Sequence, residues 1–154
     1  MDKKFYITTP IYYPSAKPHM GHAYSSIIAD FFARFKRMDG FDVQFLTGTD
    51  EHGLKIQRSA EKQNIDPLEF CNQISQTFRD LSKTLNLTNT DFIRTTEDRH
   101  KKTVQHLWNE LEKNDDIYLS KYSGWYSVSD EAFYNEHEIE DIDGVKRSIS
   151  SKSN

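Results

Sequence analysis

Phe5-Tyr6-Ile7-Thr8-Thr9 runs into Pro10-Ile11-Tyr12-Tyr13-Pro14-Ser15-Ala16-Lys17-Pro18-His19-Met20-Gly21-His22, and from Ala23 the apolar residues change their spacing. The first five residues are apolar, β-branched or aromatic and stop at a proline, the pattern of a buried strand in a parallel sheet. Tyr24, Ile27, Ile28, Phe31, Phe32, Phe35 and Met38 then fall three or four apart. That spacing predicts the apolar stripe of an amphipathic helix ending before Gly40. Asp42 to Thr47, with Val43, Phe45 and Leu46, reads as a second strand, followed by the polar turn Gly48-Thr49-Asp50-Glu51-His52-Gly53. Strand, loop, helix and strand in that order make a parallel βαβ unit.

Outward from this unit the pattern continues. A helix is expected near Leu54, and Asp66-Pro67 supplies an N-cap and a proline at the first helical position for the next. That next helix carries Leu68, Phe70, Cys71, Ile74, Phe78, Leu81 and Leu85 on one side. Asp91 to Arg94 fits a short strand, and Thr96 with Arg99 is a cap without the reciprocal acid of a capping box. His100 to Lys113 repeats an apolar stripe at Val104, Leu107, Trp108 and Leu111. The expectation is an α/β fold, the first half of a Rossmann-like nucleotide-binding domain with a parallel sheet covered on both faces, spanning residues 1–115. After Asp115, Tyr118, Tyr122, Trp125, Tyr126, Val128 and Phe133-Tyr134 alternate with small polar residues. Residues 116–154 are therefore expected to begin a small β-rich module, with a hairpin tip at Glu136 to Asp143 and an exposed end from Ser148 to Asn154.

With 154 residues, 36% of them hydrophobic and 29% charged, the chain has the makings of one compact core. No apolar run approaches the roughly 20 residues of a membrane helix, so no membrane partner is expected. Met1-Asp2-Lys3-Lys4 leads straight into the first strand with no apolar leader or cleavage site, which predicts a cytoplasmic protein. The single cysteine, Cys71, cannot form an internal disulfide or a thiolate cluster, and its apolar-periodic setting makes it a small core residue. A net charge of −4 argues against coating nucleic acid by bulk electrostatics. Arg99-His100-Lys101-Lys102 and Lys146-Arg147 read as solvated surface.

In open α/β sheets, ligands sit outside the carboxyl ends of the strands, where both unusual polar loops fall. The helix after the first loop offers backbone N–H groups and a partial positive charge to a phosphate. Gly21 removes a side chain where a ligand must come close, and His19 and His22, one turn apart, can donate to one bound group. Two other readings stand beside this one: the histidines cap the helix or line a turn, or His19, His22, Asp50 and His52 form a metal cluster.

Pro18-His19-Met20-Gly21-His22 resembles the His-x-Gly-His signature of class I aminoacyl-tRNA synthetases. Thr8-Thr9-Pro10-Ile11-Tyr12-Tyr13, Phe45 to Gly53, Phe92-Ile93-Arg94-Thr95-Thr96-Glu97 and Gly124-Trp125-Tyr126-Ser127-Val128 look like the methionyl-tRNA synthetases in particular. The likeness runs in order from Phe5 to about Ile139. It implies adenylation of methionine by ATP with Mg²⁺, then transfer of the methionyl group to tRNA. His19 and His22 match catalytic positions that bind ATP together with Gly21, and Lys17 adds a cation or remains an exposed loop lysine. Asp50 matches the family's ammonium-binding aspartate, while Ile11 and Tyr13 match positions lining the methionine pocket. Without the resemblance, packing accounts for Ile11 and Tyr13, and a turn or cap accounts for Asp50.

Two departures follow. Many relatives carry zinc-binding cysteines in the inserted module, where this chain has Ser127 and Asp130; no zinc is expected, and aromatic packing through Trp125, Tyr126, Phe133 and Tyr134 is expected to hold the module. Family members also continue into a second half that supplies a Lys-Met-Ser-Lys-Ser loop and an anticodon-binding domain, through which most tRNA contact is expected. The chain reads as an N-terminal fragment, inactive alone. A smaller nucleotidyltransferase with the same signature and a noncatalytic nucleotide-binding fragment are the alternative readings.

Overall fold

The computed structural model describes residues 3–152. Met1 and Asp2 of the amino-terminal reading, and Ser153 and Asn154 of the expected exposed end, lie outside them. The chain divides into two compact units, Met1–Asn109 and Glu110–Asn154.

In the first unit, β1 (Lys4–Thr8), β2 (Asp42–Thr49) and β3 (Asp91–Arg94) form one parallel sheet in the order β1-β2-β3. The helices are α1 (Met20–Met38), α2 (Leu54–Gln63), α3 (Pro67–Thr84) and α4 (Asp98–Lys113). Every expected strand and helix of this unit is present. The register pairs Phe5 with Val43, Ile7 with Phe45 and Thr47 with Phe92, which puts these side chains on one face. Ala29 and Ala33 of α1 pack there on Val43 and Phe45, and Phe78 of α3 packs with Phe92 and Tyr12. Fully burying side chains such as Phe45, Phe70 and Phe78 contributes about 1.5–3 kcal/mol each. Asp66 caps α3 as expected, its carboxylate accepting the Leu68 and Glu69 N–H groups ahead of Pro67.

One expectation is corrected here. The sheet is covered on one face, not both: on the other, Tyr6 is 64% exposed, Gln44 is exposed, and Leu46 and Ile93 are half-buried. The strand order β1-β2-β3 progresses in one direction across the sheet, and parallel crossovers of the usual right-handed sense then put their helices on the same side. The spacing leaves the packing face of α1 open. Its large apolar stripe does not face the sheet; Phe31 is 64% and Met38 88% exposed, while Ala23, Ser26, Ala29, Asp30 and Ala33 are buried. Small side chains let the helix sit close over Val43 and Phe45. Asp30 is held at that interface by Arg34 and by the Thr88 N–H and hydroxyl.

The second unit contains two antiparallel hairpins, β4 (Trp125–Ser127) with β5 (Ala132–Tyr134) and β6 (Ile139–Ile142) with β7 (Val145–Ser148). The expected hairpin tip at Glu136 to Asp143 is instead a 3-10 turn at Glu136–Glu138 followed by β6, and Asp143-Gly144 makes the tip. Tyr122, Tyr126 and Phe133 do touch edge to face, but Trp125, Tyr126 and Phe133 are about half exposed. Among the described residues of this unit, those that are buried are Ser127 and Ser148. The Ser127 hydroxyl accepts the Asp130 N–H and the Ser148 hydroxyl accepts the Ser151 N–H. The Asp130 carboxylate accepts from Tyr134 and Ser151, joining the two turns. Polar bonding occupies the centre that aromatic packing was expected to fill.

Candidate nucleotide and amino-acid site

The chain leaves β1 at Thr9, whose N–H donates to Leu46 O, skips a rung at Pro10, and rejoins β2 where the Tyr12 N–H donates to Gly48 O at 3.0 Å. Proline supplies no donor, so the strand is interrupted and then resumes. Tyr12 is thereby turned inward. Its ring stacks on Phe78 and meets His22 edge to face with centroids 4.9 Å apart. Its hydroxyl reaches Ser25, Ser26 and the His22 carbonyl. Its carbonyl accepts the Asp50 N–H at 2.8 Å. One buried tyrosine therefore touches the ring of His22 and the backbone of Asp50.

His19 is the N-cap of α1. Its Nδ1 accepts the Gly21 N–H at 3.0 Å, and the His22 Nδ1 accepts the His19 N–H at 3.0 Å, a capping box made of two imidazoles. The capping and phosphate readings of the pair are thus compatible. A neutral ring that accepts at Nδ1 carries its proton on Nε2, so both rings when neutral, their centroids 3.9 Å apart, keep an Nε2–H donor that the cap does not use. Burial, then the charge of His19, hold His22 below the ordinary histidine range. The expectation of free N–H groups at this terminus is corrected: the Gly21 N–H is taken by an imidazole and the His22 N–H by the His19 carbonyl. The first turn of α1 has no acidic residue, so its partial positive charge is not offset locally. Gly21 has a requirement the sequence did not show, since a Cβ there would sit 2.9 Å from the His19 ring.

Asp50 is half-buried between Thr49 and Glu51, both buried. Its Oδ1 lies 3.5 Å from the Thr95 hydroxyl. Ile11 is exposed and lines a cavity of about 270 Å³ with Thr8, Thr9, Leu46, Thr47, Gly48 and Ile93. Tyr13 and Lys17 are exposed in the loop before α1. A cavity of about 540 Å³ beside Arg79, Asn89 and Phe92 opens toward the start of β3, away from these loops. Among the described residues no group of three or more His, Cys, Asp and Glu side chains is gathered as a metal would need, so His19, His22, Asp50 and His52 do not form the cluster considered above.

Sequence reasoning gave no role to Glu51, whose side chain is fully buried. Its carboxylate accepts from Arg94 Nε and Nη2 at 2.7 and 2.9 Å, and from Thr49, Ser75 and Thr96 at 2.7, 2.6 and 2.5 Å. Burial pushes its pKa up, but these donors, Arg94 foremost, outweigh burial and leave it below the ordinary range. Removing Arg94 would leave a buried charge uncompensated, at a cost of about 3–5 kcal/mol. The quoted motifs contained every member of this network except Ser75, but nothing in their spacing showed that they meet.

A three-stranded parallel sheet joined by crossover helices defines an α/β domain of the Rossmann-like type. Residues 5–145 match the family described as tRNA synthetases class I (M). The chain is 54% identical over 139 residues to the methionine–tRNA ligase of Bacillus subtilis (strain 168) and 57% identical over 139 residues to that of Rickettsia prowazekii (strain Madrid E). Each match takes in 90% of this chain, but only 21% and 27% of those proteins. The structure of Mycobacterium tuberculosis methionyl-tRNA synthetase bound by methionyl-adenylate superposes with a TM-score of 0.93 at 44% identity, covering 98% of this chain and 30% of that one. The chain belongs to the class I tRNA synthetase family of the methionine type. It spans about a quarter of the length of the curated relatives it matches.

Proposed function

We propose that this chain provides the ATP- and methionine-binding front of a methionyl-tRNA synthetase, an enzyme that adenylates methionine and transfers it to tRNA in the cytoplasm. The observation that carries the reading is the capping box of His19 and His22, which commits both Nδ1 atoms to the backbone and leaves two Nε2–H donors at an uncompensated helix terminus. His19 and His22, with Gly21 between them and Lys17 nearby, bind the phosphates of ATP, whose Mg²⁺ shares the charge. Positioning and charge stabilisation suffice for this substitution, and no covalent enzyme intermediate is needed. Asp50 holds the methionine ammonium, and Ile11 and Tyr13 line the side-chain pocket, where sulfur–aromatic contact is worth about 0.3–1.5 kcal/mol.

Residues 1–115 form the front of the catalytic domain and 116–154 begin the connective module, which holds together without zinc. The chain is inactive alone. On this reading the rest of a synthetase packs on the exposed stripe of α1, on the β1 edge, which has no strand partner among the described residues, and on the exposed sheet face. Asp50→Ala in a complete synthetase carrying this stretch tests the amino-acid assignment. Methionine binding weakens by at least about tenfold with ATP binding nearly unchanged, the loss of a charge-assisted contact; equal weakening of both refutes the role.

A further inference from the structure

Glu51 takes no part in the chemistry above, yet it ties together three elements at the carboxyl ends of the strands. Arg94 ends β3, Thr96 follows it, Ser75 lies on α3 and Thr49 ends β2, and all four donate to one buried carboxylate. The network extends to the backbone. The Glu51 N–H donates to the Thr95 hydroxyl at 2.8 Å, and that hydroxyl faces Asp50 Oδ1 at 3.5 Å. The Thr95 N–H in turn donates to Thr49 O at 3.2 Å. Thr95 thus has its oxygen occupied by the Glu51 amide and its proton directed to the neighbouring carboxylate.

We propose that Glu51 is a positioning residue for the amino-acid half of the site: clamped by Arg94, Ser75, Thr49 and Thr96, it fixes the β2 end and the Thr95 hydroxyl that together aim Asp50. The inference rests on the reading of Asp50 as the ammonium-binding carboxylate. A buried ion pair adds little net stability over well-packed apolar side chains, but its hydrogen bonds have direction, and direction is what a carboxylate facing a small ligand requires. The five donor atoms around Glu51 come from three elements, the ends of β2 and β3 and helix α3, so the β2–α2 loop cannot shift without breaking several of them. Asp30, the other buried acid with an arginine partner among the described residues, holds α1 to the Thr88 loop instead.

Amide hydrogen exchange of the ligand-free chain tests the clamp. In Glu51→Gln, the Asp50 and Glu51 amides exchange about tenfold faster or more, while Ala29 and Ala33 in α1 stay within about twofold of the parent. Thr96→Val, which removes one donor and keeps the ion pair, produces a smaller change at the same two amides and decides the matter by the same comparison if Glu51→Gln does not fold. A uniform rise across both groups, as a purely structural role requires, or no change at Asp50 and Glu51, overturns the proposal. Because no methionine is present, failure of the Asp50 assignment leaves this result untouched; Asp50→Ala reads that assignment separately.

Discussion

A histidine that accepts a backbone N–H at Nδ1 has one neutral tautomer open to it, and this constraint acts on His19 and His22 alike. Protonating Nδ1 of His22 would destroy its bond to the His19 N–H. Its folded-state pKa is depressed, so the cap is complete above the ordinary histidine range and is lost only as pH falls through the lower folded value. The His22 ring resonances should therefore titrate below those of an unfolded-chain histidine; titration above them would contradict the cap. Cys71 offers a second check. Burial first, and then the charge of Glu51, push its thiol up to about 11, so alkylation of the native chain at neutral pH should be far slower than after denaturation. Equal rates would place Cys71 outside the core. His19, His22 and Asp50 were legible as candidates because polar residues stood at strand ends. Tyr12 was not, because Pro10 breaks the alternation that would have shown its inward direction.

At the scale of the element, α1 separates periodicity from packing. The large apolar residues gave the right period and the right helix, but the side that packs is the one bearing Ala23, Ala29 and Ala33. Spacing fixes that a helix has two faces; it does not say which faces the sheet when one is lined by alanine and the other by phenylalanine. Two substitutions make the distinction measurable. Phe35→Ser should change unfolding free energy by no more than about 0.5 kcal/mol, as for an exposed site. Ala33→Leu should destabilise by about 1–3 kcal/mol through overpacking against Val43 and Phe45. Denaturant unfolding of both variants tests this, and the reverse order of effects would mean that the stripe, not the alanine face, is packed. Strand positions were more legible than the covering of the sheet, since burial on one face or two depends on which way successive crossovers progress.

At the scale of the whole molecule, the first unit follows from a repeated strand–helix pattern, whereas the second depends on contacts that no periodicity reveals. Ser127 and Asp130 were legible as departures from a cysteine pattern. Their meeting with Ser148 and Ser151 was not, because two turns distant in sequence supply the two halves. One sheet face and the stripe of α1 are exposed, and under the proposed function this chain supplies only the front of a site, so methionine-dependent ATP–pyrophosphate exchange should be absent from the isolated chain; robust exchange would show that this stretch suffices.

The most direct measurement is that exchange rate in a complete synthetase carrying this stretch, with His22 replaced by alanine. The proposed function predicts a rate about 10²–10³-fold lower, the usual effect of removing a donor to developing charge, while methionine affinity stays within about twofold. An unchanged exchange rate would contradict the assignment of the paired imidazoles to ATP.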